Sequence, residues 1–498
     1  MRRLLIILFC LLGVSLNAAT YYVKTSGSDV NNGLSDATAW AHHPWMSTWV
    51  GSTTLRPGDI VCMKREDVWT IASPSTDYLI VGQSGSAGNY ITTTAYGTGA
   101  LPIINISTST NENVIRAIGK SYIKFDNIEI THCSSAYSVG KIGIWVTNDG
   151  SNVSHDWIII NCVIHNIPHT AIYFNKDCYN IIIGDTAAVK TATDTEYSNH
   201  IYDFGYCGIM LMGVNPVTEE SHFYVYHNYI HDATRTAMNN NEYGISITAN
   251  SSSVNWPKYV YVRYNNVQNI KTWEGISTHG GSYLYFQDNY IKTFGTRGMM
   301  IGGSHLSGYA PEVGHHQWVE RNIIESPASG WVAGNEDSFI HVSYGDAAVV
   351  PCASNIYIRD NTMFYTSKPS GNAFYGIRGG DIDGMSIEGN SIYNGSARAA
   401  IWLNLDYGTS GVKNVVVKNN SITGWARGVS LQAEAIIGRV DVINNTICDS
   451  NTDVYVYGNL PLTADLYMNN NGCIIEDVKR HCVFNNKSLM INNKIIIK

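Results

Sequence analysis

The chain is short of charge and of long apolar runs, and helical periodicity of useful length is missing. Asp, Glu, Lys and Arg make up only 14% of its 498 residues, with 32 basic groups against 40 acidic ones and a formal charge of −8. Nucleic acids and anionic membranes are met by clustered Lys and Arg, so neither is an expected partner. The one marked apolar run, residues 4–12, is too short to span a bilayer. No other stretch approaches the ~18 residues that a spanning helix needs. Ten cysteines occur without a single CxxC pair, so spacing offers neither a zinc site nor a dithiol redox motif.

What stands at the start has a different use. Arg2 and Arg3, the run 4–12 and the small pair Ala18 and Ala19 have the order of a secretory signal, so residues 1–19 are expected to be removed. Cys10 lacks a lipobox-like setting, which argues against a lipid anchor. The mature chain would be a soluble monomer of charge −10, secreted or periplasmic. In such a compartment a bridge such as Cys473 to Cys482 is open, beside the plainer reading of buried thiols. Aromatics reach 11%, with 32 Tyr and 12 Trp, a surface better suited to stacking and hydrogen bonding with neutral sugars than to ion pairing.

A repeat organises the rest. An alternating strand, then Asn, then one residue, then an aliphatic residue or its near equivalent recurs at Asn228, Asn265, Asn289, Asn322, Asn361, Asn390, Asn420 and Asn445. The spacings are 37, 24, 33, 39, 29, 30 and 25, a fixed phrase separated by loops of variable length. That is a solenoid with insertions. A second strand follows each phrase and opens on Gly plus an aliphatic residue, as at Gly244-Ile245, Gly275-Ile276, Gly298-Met299, Gly376-Ile377 and Gly428-Val429. Strands this short, separated by Asn, Gly and Ser, predict an all-β, right-handed parallel β-helix. The recurrent Asn fits a tight bend, tolerating left-handed backbone and bonding its amide to the Asn of the next coil. Looser copies stand at Asn127 and Asn161. Residues 20–105 depart from the pattern and are expected to form an N-terminal cap and the first coils, with a short helix in the Trp-rich stretch 40–49. Residues 106–478 would be the helix proper and 479–498 a C-terminal tail or cap.

Tyr21-Tyr22-Val23, Gly27-Ser28-Asp29, Asn32-Gly33, Pro57-Gly58-Asp59 and the coils together resemble the secreted right-handed β-helix proteins of the pectate-lyase-like superfamily. The resemblance implies fold and export. For the reaction it implies a range of polysaccharide lyases, glycoside hydrolases, esterases, epimerases and non-catalytic adhesins. Polygalacturonase-type motifs are echoed only by His279-Gly280-Gly281, and the paired aspartates are missing. Lys292 and Arg297 could serve as the basic residues of a lyase, without an acidic cluster beside them.

Residues in the same place on neighbouring coils lie about 4.8 Å apart, so a β-helix builds sites by stacking. Aligning the second strand on its Gly puts Tyr243, Glu274, Arg297, Asp337 and Tyr375 in one column, with Glu242 at its edge and His279 and His341 further along the same strands. Glu274 and Asp337, two coils apart, suit an inverting glycosidase, and Glu242 with Glu274 a retaining one. Arg297 between two acids would hold one ionised while the other keeps its proton. The bland alternative is a row of solvated or mutually paired charges. His305 and Glu336 add to the polar density, and Trp273, Trp331 and Tyr309 are candidate sugar platforms, with packing as the equal alternative. Tyr243, Tyr375 and His341 complete the expected binding set.

Other clusters read more plainly. His165, His169, His200, His227 and His231 match no metal signature, and His231 is expected to be a satisfied rung residue. No metal site is assigned. Among cofactors Ca2+ is the one open candidate, at the turn carrying Asp381 and Asp383, which is more simply an acidic turn. The function expected is cleavage of an extracellular polysaccharide, first as a glycoside hydrolase on a neutral glycan. The alternatives are a lyase on a uronic-acid polymer and a carbohydrate-binding or adhesive solenoid.

Overall fold

The computed structural model describes residues 18–72, 77–107, 112–132, 140–175, 177–187, 197–213, 220–233, 242–248, 256–278, 280–305, 314–326, 338–345, 353–366, 375–395, 398–405, 411–457 and 465–469, with a hairpin at 489–491 and 494–496. The signal-like segment up to residue 17, the Cys473–Cys482 pair and all of the expected tail except that hairpin lie outside them. No helix among the described residues is long and apolar enough to cross a membrane.

Each coil gives one strand to each of three sheets. Sheet I has fifteen strands, from Thr20–Val23 to Asp465–Asn469. Sheets II and III have thirteen each, from Val68–Ile71 to Thr446–Cys448 and from Leu79–Ile80 to Thr452–Tyr457. Ser282–Gln287, Tyr290–Phe294 and Arg297–His305 make one such coil, in the order I, II, III. Pairing between coils is parallel, and the architecture is the expected right-handed parallel β-helix.

The core follows from side-chain alternation along each strand. Val260 and Val262 of sheet I, Val267 and Ile270 of sheet II and Ile276 of sheet III point inward and are fully or almost fully buried. The next coil places Leu284, Phe286, Ile291, Phe294 and Met299 directly on them. Each such side chain contributes roughly 1.5–3 kcal/mol relative to exposure. Growth by one coil therefore repeats the same burial, and loops can be inserted outside it at little cost to the core.

The asparagine ladder is continuous. Nδ2 of Asn228, Asn265, Asn289, Asn322, Asn361, Asn390 and Asn420 each donates to Oδ1 of the next ladder residue at 2.9–3.0 Å, ending on Asn445. Asn199 extends the row by one coil. The sharp bend itself is made one residue earlier than expected. His227, Tyr264, Asp288, Arg321, Asp360, Asn419 and Asn444 have φ near +55°, while the ladder asparagines that follow do not. Asn127 and Asn161 are also left-handed, so the upstream copies are offset by one, and the buried Ile128 and Cys162 occupy the ladder position.

At the N-terminal end the expected helix in the stretch 40–49 is absent, and a 3-10 turn at Asp36–Thr38 stands before it. Trp40 is buried instead, its ring 4.5 Å from Tyr21 and its indole N–H bonded to the Asn31 carbonyl at 2.8 Å. Asp59 accepts the amides of Arg56 and Ala19 at 2.8 Å, which ties Thr20–Val23 to the edge of sheet I. Cys62, Cys162, Cys178 and Cys207 are buried free thiols, and Cys448 is disulfide-bonded.

Candidate active site

Sheet III carries the polar density on its outward face. Strand register stacks Cys207, Tyr243, Glu274, Arg297, Ser338 and Tyr375 in one column. Ser338 pairs with Arg297, which leaves Phe339 where neighbouring coils have glycine. The phenyl ring is fully buried between Phe294 and Tyr365, filling space that a glycine leaves open. Asp337, His279, Trp331, Tyr309 and Glu336 lie outside the described residues, as does the side chain of His305.

The centre of the column is a buried ion pair with a histidine attached. Arg297 Nη1 donates to Glu274 Oε1 at 2.7 Å and Nε to His341 Nδ1 at 3.0 Å. An arginine can only donate, so Nδ1 accepts and a neutral His341 ring carries its proton on Nε2. His341 lies in the next outward column, in register with Met300 and Arg378. The Arg297 guanidinium also sits 5.2 Å over the Trp273 ring, which uses the indole to position the cation. Glu274 and His341 are fully buried and Arg297 nearly so.

Glu242 borders this centre. Its backbone carbonyl accepts the Glu274 amide at 3.0 Å, so the two acids sit on adjacent coils. Burial pushes the Glu242 carboxyl up to about 7, against a Thr272 hydrogen bond that pulls it down. Four polar atoms here are buried with no hydrogen-bond partner among the described residues: Glu242 Oε2, Glu274 Oε2, Trp273 Nε1 and Ser338 Oγ. Folded proteins rarely leave such atoms unpaired, and four within four successive coils mark a place built to meet something else.

An apolar shelf flanks the acids. Cys207, Met210 and Tyr243 pack with Tyr173, Tyr206, Met212 and Trp273 outside the main core. Burial, and after it the Glu274 carboxylate, pushes the Tyr243 phenol well above its ordinary value. On the other side Tyr375 stacks on Trp402 at 4.3 Å and accepts from Arg398 at 2.7 Å. Tyr243 and Tyr375 are thus engaged in packing and hold the column in place. Ser338, Arg378, Arg398 and Trp402 are additions that aligning on glycine does not reveal.

Other candidates fall elsewhere. Lys292 is on sheet II, paired with Glu325 at 2.9 Å, so it does not converge with Arg297 on sheet III. His165, Tyr202 and His231 stack outside sheet II, and His200 Nε2 lies 2.6 Å from His231 Nε2. His231 is satisfied as expected, through Asp232 at 2.7 Å. Asp383 bonds Lys413 and Asn414, and Asp381 accepts the Gly411 amide, so both carboxylates of that turn have protein partners. No group of three or more metal-type ligands occurs among the described residues.

No family model and no curated protein matches the chain. Solved structures that share its path include a mannuronic acid specific polysaccharide family 6 lyase from human gut microbiota, at 13% identity and a TM-score of 0.49, covering 90% of this chain and 89% of that one. A GH136 lacto-N-biosidase from Eubacterium ramulus is 13% identical with a TM-score of 0.38, over 95% of this chain and 68% of that one. The A-module of the Azotobacter vinelandii mannuronan C-5 epimerase AlgE6 is 10% identical with a TM-score of 0.45, over 84% and 90%. The chemistry of this site is read from its own residues.

Proposed function

We propose that the chain is an exported glycoside hydrolase that cleaves a neutral extracellular polysaccharide at the outer face of sheet III, with Glu242 and Glu274 as its two carboxylates. The observation that carries this reading is the asymmetry between them. Glu274 is tied to Arg297 at 2.7 Å, whereas burial raises Glu242 to about 7. One acid keeps a proton to give and the other has a cationic partner, the division of labour that glycoside hydrolysis uses. The disulfide at Cys448 supports export, since such bonds persist in oxidising compartments.

One coil step is about 4.8 Å, so a pair of acids on adjacent coils is compatible with the 5–5.5 Å separation of retaining enzymes. Glu242 would give its proton to the glycosidic oxygen while Glu274 Oε2 attacks the anomeric carbon, releasing the leaving sugar and forming a glycosyl ester. Water would then lose a proton to Glu242 and release the second sugar, restoring both acids. Arg297 holds Oε1 of Glu274 away from the reaction, and Trp273 and His341 hold Arg297.

One observation favours a lyase as the second reading. Arg297, Arg378 and Arg398 place three guanidinium groups on or beside the outward face of sheet III, a charge that could neutralise a uronate before proton abstraction. Arg297 is already committed to Glu274, which is why hydrolysis stands first. Incubation with a panel of neutral and uronic-acid polysaccharides separates the readings. New reducing ends without unsaturated-uronate absorbance support hydrolysis; with it, elimination. Neither signal would leave a binding solenoid.

A further inference from the structure

A cavity of about 460 Å3 opens away from the carboxylates, where the chain leaves sheet III for sheet I in the early coils. Ser84, Ser121 and Ser151 line it with hydroxyls, and Tyr122, His155 and Tyr179 with rings. The aromatic wall is ordered by its own contacts: His155 stacks on Tyr179 at 4.6 Å and meets Tyr122 edge-on at 5.1 Å. Asp156 fixes the imidazole through Nδ1 at 2.5 Å.

The floor and the facing loop are equally built. Ser121 donates its amide to Ser84 Oγ at 3.1 Å and its own hydroxyl to the Val153 carbonyl at 3.2 Å, and its Oγ accepts the His155 amide at 3.1 Å. Asp149 accepts the amides of Ser151 and Asn152 and the Asn152 side chain, which closes the loop on itself. The cavity therefore exists without a ligand, in the size range of small-molecule sites.

Its chemistry narrows the occupant. No Lys, Arg, Asp or Glu is among the described residues lining it, and the imidazole of His155 is already engaged by Asp156. Tyrosine rings beside short hydroxyls suit a molecule with both apolar faces and many hydroxyls, which is a sugar ring without charge. Three coil steps separate the strand opening at His155 from the one at Lys258, in the coil that carries Glu274, about 14 Å along the axis.

We infer that this cavity is a second, non-catalytic binding site for a neutral oligosaccharide. Its use as a distal hold on the polymer being cleaved rests on the hydrolase reading; binding itself does not. Tyr179 lines the cavity and Ser151 sits at its exposed rim, and neither belongs to the buried core, so changing either alters the cavity and leaves the core columns in place.

The test is affinity electrophoresis of the full chain carrying Glu274→Gln, which removes cleavage, through gels containing mixed-linkage β-glucan, galactomannan, arabinoxylan or polygalacturonate. At least one neutral polymer should retard it. Adding Tyr179→Ala or Ser151→Trp should weaken that retardation about fivefold at unchanged melting temperature, without affecting any retardation by polygalacturonate. The inference is overturned if no neutral polymer retards the protein, or if both folded variants are retarded as strongly as their parent. Loss of retardation in a protein whose native form cleaves nothing would uphold this site and remove the hydrolase reading. Cleavage with unchanged retardation would do the reverse.

Discussion

Arg297 and Glu274 form a 2.7 Å ion pair across one coil step, with side chains only 6% and 0% exposed. Two buried charges are tolerable only while they face each other. Arg297→Met should therefore lower stability by about 3–5 kcal/mol, read as a fall in the denaturation midpoint. Adding Glu274→Leu to that variant should restore most of the loss. A single variant as stable as wild type would mean that the pair is not buried as described.

The ladder predicts a different kind of loss. Asn322 donates to Asn361 and to the Phe286 carbonyl, and accepts both the amide and the side chain of Asn289. Asn322→Leu leaves several of these buried groups unpaired, at roughly 1–3 kcal/mol each. Melting should fall by several degrees or more while cleavage per folded molecule stays near wild type. Selective loss of activity at full stability would assign Asn322 a role in the site.

Glu242 makes stability and rate depend on pH in the same window. Below its ordinary value of 4.5 the carboxyl is protonated folded or unfolded, so it has no effect there. Between 4.5 and about 7 the unfolded chain has lost the proton and the folded one has not. Stability should therefore fall as pH rises through this interval and level off above it. Turnover should fall above pH ~7, as the proton donor is lost. Glu242→Gln should flatten the stability profile across this range, and an unchanged profile would remove Glu242 as the titrating group.

The repeat was legible because its constraint is local. One buried amide per coil must meet its neighbour, so Asn228 to Asn445 announce the solenoid even though the loops between them vary in length. The left-handed bend was misplaced by one residue because Asn suits both roles, and only backbone geometry separates Asn419 from Asn420. Glu274 and Arg297 came together as read, since both stand directly before a glycine. On the next coil Phe339 stands where that glycine would be, and the column position belongs to Ser338. The aliphatic row Ile276, Met299, Ile340 and Ile377 keeps the correct register and would have placed Ser338 in the column. Lys292 and Arg297 are close in sequence, but the turn between them separates sheet II from sheet III. The raised carboxyl of Glu242 depends on burial, which no short motif encodes.

Turnover of Glu274→Gln on the polysaccharide that the wild type cleaves tests the proposed chemistry most directly. The swap keeps the shape of the side chain and an oxygen that can accept from Arg297, but it leaves that buried cation without its counter-charge, so stability should fall and turnover is compared per folded molecule, with the folded fraction read by circular dichroism. The expected result is release of reducing ends without unsaturated products by the wild type, and a loss of about 10²–10⁴-fold in the variant. Wild-type turnover in a folded Glu274→Gln protein would contradict the placing of the reaction at this carboxylate.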